Sequence, residues 1–198
     1  MTPSRDCRAR FSGNTRTGIC LTVTAALTSL AVASALSHGA TPLKIAERIE
    51  ITAKPESVWT LVGDFAQISA WNPLVARSMA AFDERQGKER LITLTTGGKI
   101  TDALTEYDAG KMTYSYRRVD DDVRAFPVSF YSATIKLSPT ATGTEVEWTG
   151  GFYRGDTSNE PPDNLNDAVA TKAMTDFFEA GLTNLKKLAE KKKFAGRR

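Results

Sequence analysis

Cysteine and histidine are almost missing from this chain. Its 198 residues hold two cysteines and one histidine. These are Cys7, Cys20 and His38, all near the N-terminus. A chain cut after Ala35 keeps no cysteine, and one cut after Ala40 keeps no histidine. Such a chain can build no cysteine nucleophile, no disulfide and no Ser-His-Asp triad. It can build no Cys/His zinc site either. Any catalysis would rest on carboxylates, Tyr, Lys, Arg or a captured cofactor, which weighs against an enzyme without removing the option. No cofactor or metal is expected. The consecutive acids Asp120, Asp121 and Asp122 lack the Gly and Glu that complete a calcium loop.

An excess of one charge is also missing once the N-terminus is set aside. Arg5, Arg8, Arg10 and Arg16 precede the apolar run GICLTVTAALTSLAVASA. Small-x-small sites follow it at Ala33-Ser34-Ala35 and up to Ala40. Basic, apolar and small residues in that order mark a secretory signal. The expected organisation is a signal over residues 1–40, one domain over 41–193 and a basic tail over 194–198. An uncleaved anchor is the alternative, but the run is short and rich in Thr, Ser and Ala. No stable membrane span is expected after cleavage, and the location is periplasmic or secreted. Removing four Arg and one Asp turns 26 basic and 23 acidic residues into 22 of each. The net charge of +3 thus belongs to the signal, and nothing argues for nucleic acid. Residues 186–198 keep seven basic groups and one acid. They form either a solvated helix end or a patch for an acidic partner.

The remaining chain reads as strands first and a helix last. KIAERIEITA (44–53) reads as a strand. Pro55 opens a helix whose face carries Val58, Trp59, Leu61, Val62 and Phe65. A short turn, QISAW, stops at Asn72-Pro73. Six strands follow at 75–82, 89–95, 100–107, 111–118, 128–137 and 144–152, joined by tight turns. That spacing predicts an antiparallel meander. A helix from about residue 163 to 193 presents Leu165, Val169, Met174, Phe177, Phe178, Leu182, Leu185 and Leu188 as one stripe. Gly181 inside it implies close packing or room for a ligand.

Alternation places the inward residues. They are Ile100, Asp102 and Leu104; Met112, Tyr114 and Tyr116; Tyr131, Ala133, Ile135 and Leu137; and Val146, Trp148, Gly150 and Phe152. Asp102 is the anomaly, because a buried carboxylate is costly unless paired or protonated. Its partner could be Arg90, which alternates with Ile92 and Leu94, or a tyrosine hydroxyl. Three roles stay open for Asp102: a buried ion pair, a polar anchor for a ligand, or a general acid/base.

The element order, with GDFAQISAWNP (63–73), ITDALTEYD (100–108), PVSFYSATIKL (127–137), VEWTGGF (146–152) and FFEAGLTNLKKL (177–188), resembles the Bet v 1/START-like helix-grip superfamily. Within it, the chain is similar to the bacterial polyketide cyclase/dehydrase (SRPBCC) group. Its export signal makes it similar to the periplasmic methanol-oxidation accessory (MxaD-like) proteins. Where many relatives have W-H-P, this chain has Asn72, so that histidine's role does not transfer. Related plant hormone receptors place a Glu in the pocket within T-E-R-L, and Thr101-Asp102-Ala103-Leu104 departs at Asp and Ala.

The resemblance implies an α+β helix-grip fold. A curved seven-stranded antiparallel sheet carries two short helices after strand 1, and a long C-terminal helix packs on its concave face. It also implies a cavity between sheet and helix. The expected lining is Arg90, Asp102, Leu104, Tyr114, Tyr116, Tyr131, Trp148, Phe152, Phe177, Phe178, Gly181 and Leu182. The alternative is that these aromatics simply fill the core. The expected partner is a small apolar or amphipathic molecule. A periplasmic dehydrogenase/cytochrome pair assisted by the protein, or a cyclase/dehydrase activity, are the other readings.

Overall fold

Strict alternation of buried and half-buried residues runs along Thr144–Arg154, the mark of a strand with one face on a core. In the computed structural model this strand, β7, lies beside β1 (Leu43–Ile51) and β6 (Val128–Pro139). The structure describes residues 39–195 except 86 and 121, with side chains to residue 191. The chain divides into two units, Met1–Leu36 and Ser37–Arg198, and all described residues belong to the second. The expected signal over residues 1–40 and the expected basic tail over 194–198 lie outside the described residues, apart from residues 39–40 and 194–195. Among the described residues, no helix is long and apolar enough to cross a membrane.

The other strands are β2 (Val75–Asp83), β3 (Gly87–Leu94), β4 (Lys99–Asp108) and β5 (Thr113–Arg118). The sheet order is β1-β7-β6-β5-β4-β3-β2, every pair antiparallel. This is the expected meander with β1 returned to the far edge. Helix α1 (Pro55–Val62) and a 3-10 turn (Phe65–Ala70) follow β1, and helix α2 (Asp167–Ala195) closes the chain. Helix α2 packs on β1, β7 and β6, while the 3-10 turn packs on β2 and β3. The concave face therefore has two roofs, and the site lies under the second.

Local chemistry explains the boundaries. Pro55 starts α1, as its fixed φ suits the first helical position. Asp64 caps the 3-10 turn, accepting from the Ala66 amide at 3.1 Å. Helix α2 begins later than the stripe predicts. Asn166, at ψ 177°, leaves helical geometry, and its side chain accepts from the Val169 amide at 3.0 Å. Met112 adopts φ +49°, so β5 begins at Thr113 rather than Lys111.

Two irregularities matter more. The β4–β5 register shifts between Leu104 and Glu106. The β6–β7 register shifts between Ser129 and Ser132, where Phe130 takes φ +49°. Each is a bulge, and a bulge reverses which residues face inward beyond it.

Candidate functional site

Arg90 on β3 and Asp102 on β4 stand opposite each other in register. Both are buried, with side chains 1% and 0% exposed. Arg90 Nε donates to Asp102 Oδ2 at 2.9 Å, and Nη2 lies 2.8 Å from the same oxygen. The Tyr131 hydroxyl donates to the other oxygen, Oδ1. Arg90 Nη1 donates to the Phe65 carbonyl at 3.0 Å, tying the 3-10 turn to the sheet. The guanidinium is sandwiched between the rings of Phe65 and Tyr116, at 4.3 and 4.4 Å. The ion pair is thus the arrangement that makes the buried carboxylate tolerable.

Burial pushes the Asp102 carboxyl above its ordinary value, while Arg90 and the Tyr131 hydroxyl pull the other way. Burial works against the Arg90 charge, but Asp102 and the surrounding tyrosines together outweigh it and hold the guanidinium above its usual range. Burial also raises Tyr114, to about 12, and Tyr116 and Tyr131. A second pair flanks the first. Arg118, opposite Asp102 on β5, holds Asp120 and donates to the Phe126, Val128 and Asp122 carbonyls.

The other expected residues form a packed seam under α2. Trp148 stacks on Phe178 with centroids 4.1 Å apart and planes 8° from parallel. Its Nε1 donates to the Tyr116 hydroxyl at 3.1 Å. Phe177 meets Trp148 edge-on, and Phe152 and Leu182 are buried in the same core. Gly181 is there for contact, since a Cβ would lie 2.9 Å from the Trp148 and Trp71 rings. Asn72 is buried and donates to the Phe177 carbonyl at 3.1 Å, joining the end of the 3-10 turn to α2. Here side chains fill the space between β7 and α2.

Open volume lies under the second roof. A cleft of about 670 Å³ runs between the α1–turn segment and β2–β4. Its walls include Trp59, Phe65, Phe82, Leu104 and Tyr107, with Asp64, Lys88 and Glu89 among the polar lining. Of the twelve residues expected to line a cavity, Leu104 alone lines this cleft. Trp59, Phe65, Phe82 and Tyr107 were outside the expectation. Tyr107 sits on the wrong parity for simple alternation, and the bulge after Leu104 brings it opposite Tyr114. Phe82 carried a signal in its aromatic character at a strand end. Gly63 lets Trp59 lie down against the turn, since a Cβ there would come within 2.6 Å of the indole. A larger cleft, about 850 Å³, lies near Lys54–Ser57 and Pro139–Gly143, without an aromatic lining.

Residues 42–190 match the family model described as "Polyketide cyclase / dehydrase and lipid transport". A comparison with curated proteins finds no match. Among solved structures, XoxI from Bacillus cereus is similar at 23% identity and TM-score 0.59, over 75% of this chain and 94% of that one. An aromatase/cyclase, Zhui, from a Streptomyces species is similar at 15% identity and TM-score 0.58, over 76% and 94%. A norcoclaurine synthase point mutant from Thalictrum flavum is similar at 13% and 0.55, over 78% and 98%. At these identities the structures show a shared fold.

Proposed function

The chain belongs to the polyketide cyclase/dehydrase and lipid transport family, and we propose that it binds a small apolar or amphipathic molecule in the cleft under α1. One observation carries this reading. Phe82 and Tyr107 stand 73% and 47% exposed on a concave apolar surface of about 670 Å³. Large aromatics kept in water around a concavity are the ordinary signature of a binding site. The volume falls within the roughly 300–1,000 Å³ that such sites occupy. The family's lipid-transport description supports the same class of ligand. The chemistry of an enzyme is less well served. Asp102 has both oxygens engaged and is fully buried, so it holds Arg90 rather than meeting a substrate.

We propose also that the protein acts outside the cytoplasm. The basic, apolar and small order of residues 1–40 supports this.

The test is titration of the purified chain with the fluorescent probe N-phenyl-naphthylamine. Saturable binding is expected, weakened at least about ten-fold (about 1.4 kcal/mol) in Leu104→Trp, which fills the cleft. Phe82→Ala, at an exposed position that cannot disturb the core, should weaken it as well. Equal affinity in all three proteins would place the probe elsewhere and overturn the assignment.

A further inference from the structure

The two edges of the sheet are finished differently. At β1, charged residues recur as Lys44, Glu47, Arg48 and Glu50, and side chains of α2 reach its main chain. Lys186 Nζ donates to the Glu50 carbonyl, and Glu190 Oε1 accepts from the Thr52 amide at 3.0 Å. Charge and cover of this kind blunt an edge, whose amides and carbonyls otherwise invite another strand. The opposite edge is β2. Its centre, Ser78-Met79-Ala80-Ala81-Phe82, carries neither charge nor proline, and α2 packs on the far side of the sheet. Five large apolar side chains stand exposed among the described residues, and three of them, Met79, Phe82 and Leu91, lie on β2 or on its neighbour β3. Exposed apolar surface is therefore concentrated at the edge that lacks protection.

This strand is complementary to itself. Ser78 and Ala80 pair with Ile92 and Arg90, both buried, so they face inward together with Phe82. Arg77, Met79, Ala81 and Asp83 face outward by the same alternation. A second copy related by a two-fold axis normal to the sheet keeps its inner face on the same side, so residues of like parity stand opposite. With the axis at Ala80, Arg77 meets Asp83 of the second copy, twice by symmetry, and Met79 meets the small Ala81. An axis at Met79 would set Arg77 against Ala81. One at Ala81 would set Arg77 against Arg85 and Met79 against Asp83. Of these registers, the one about Ala80 puts opposite charges across from each other, the arrangement that stabilises a strand pair. Asp83 Oδ1 already accepts from the Arg85 amide at 2.8 Å, and a carboxylate has capacity for further donors.

We infer that β2 pairs with β2 of a second copy of this chain, antiparallel about Ala80, joining two seven-stranded sheets into one. The contact is isologous and closed, because each copy spends its β2 edge on the other. On the outer face, Leu91 and Met79 of both copies form one apolar strip across the seam, flanked by the two Arg77–Asp83 pairs. On the inner face the two clefts open side by side, with Phe82 of each copy opposite Ser78 of the other.

Sedimentation equilibrium of the purified chain over a dilution series should show monomer and dimer in exchange. Arg77→Asp sets carboxylates against each other at both ends of the seam and should weaken the dimer at least about ten-fold. Combining Arg77→Asp with Asp83→Arg reverses both charges and should restore affinity to within about three-fold of the parent. Cross-linking reads the register separately, in a background of Cys7→Ser and Cys20→Ser. Ala80→Cys places two thiols directly opposite, with Cα atoms about 4.5–5.5 Å apart, inside the range a disulfide spans. Phe82→Cys is well exposed, but its two copies stand four residues out of step, roughly 14 Å along the strands. Mild oxidation should link the first variant and leave the second unlinked. A chain that stays monomeric at every concentration would overturn the inference. So would a dimer indifferent to Arg77→Asp, equal linking at the two positions, or a double variant that melts like the parent yet associates as weakly as the single one. These readouts involve no ligand, so the binding reading stands or falls apart from them.

Discussion

Replacing Asp102 with Asn isolates one charge in the middle of the molecule. An Asn carbonyl oxygen can still accept from Arg90 Nε or from Tyr131, so much of the geometry survives. What disappears is the counter-charge to a guanidinium whose side chain is 1% exposed. Breaking a buried pair from one side costs about 3–5 kcal/mol, because the remaining charge is left uncompensated. That is a large part of the 5–15 kcal/mol that holds an ordinary domain together. For a domain of this size, about 2–4 °C of melting temperature follow each kcal/mol. The expected fall is therefore about 6–20 °C. Urea unfolding followed by circular dichroism gives the free energy directly, with the midpoint shifted and the slope unchanged. The double variant Arg90→Met with Asp102→Leu removes both charges and should recover most of the loss. A cost below about 1 kcal/mol for Asp102→Asn would refute the reasoning, since Arg90 would then need no partner. Any activity lost in that variant must be weighed against its folded fraction.

Two further outcomes follow from the same packing. Burial holds Tyr114 at about 12, so the folded chain keeps a proton that the unfolded chain releases near its ordinary value of about 10. Stability should therefore fall as pH rises above about 10, by about 2 kcal/mol at pH 12 from this residue. Tyr116 and Tyr131 act with the same sign. Urea midpoints between about pH 9 and 12 should fall steeply, and less steeply in Tyr114→Phe; parallel curves would contradict the burial argument. Gly181→Ala pits a helix-propensity gain of about 1 kcal/mol against overpacking of about 1–3 kcal/mol. The Cβ would meet two tryptophan rings at 2.9 Å, and one is already clamped against Phe178. A net loss of about 1 kcal/mol is expected in thermal melts, and a rise in melting temperature would show that the rings can give way.

Much of this protein follows from local pattern. Alternation along residues 128–137 and 144–152 identified two central strands and their buried faces, because a strand's side chains must take opposite sides. The Arg90–Asp102 pair was legible for the same reason. Each charged residue alternates with aliphatics, and a buried carboxylate demands a cation. The apolar stripe of α2 showed that it must cover the sheet. Gly181 marked a close approach in advance, though whether to a ring or a ligand was open.

The place of the cleft was not legible in that way. One extra residue in β4 turns Tyr107 inward, and no propensity at Thr105 announces it. The aromatics on the inner faces of β5 and β7 looked equally suited to lining or to filling. Trp148 fills because Phe178 from a helix thirty residues away stacks on it. Phe82 and Tyr107 remain open because the roof above them is a short helix and a 3-10 turn rather than α2. Composition and period determine which face of each element is buried. Whether that face meets a side chain or an empty volume depends on elements far apart in sequence, and only their packing together decided it.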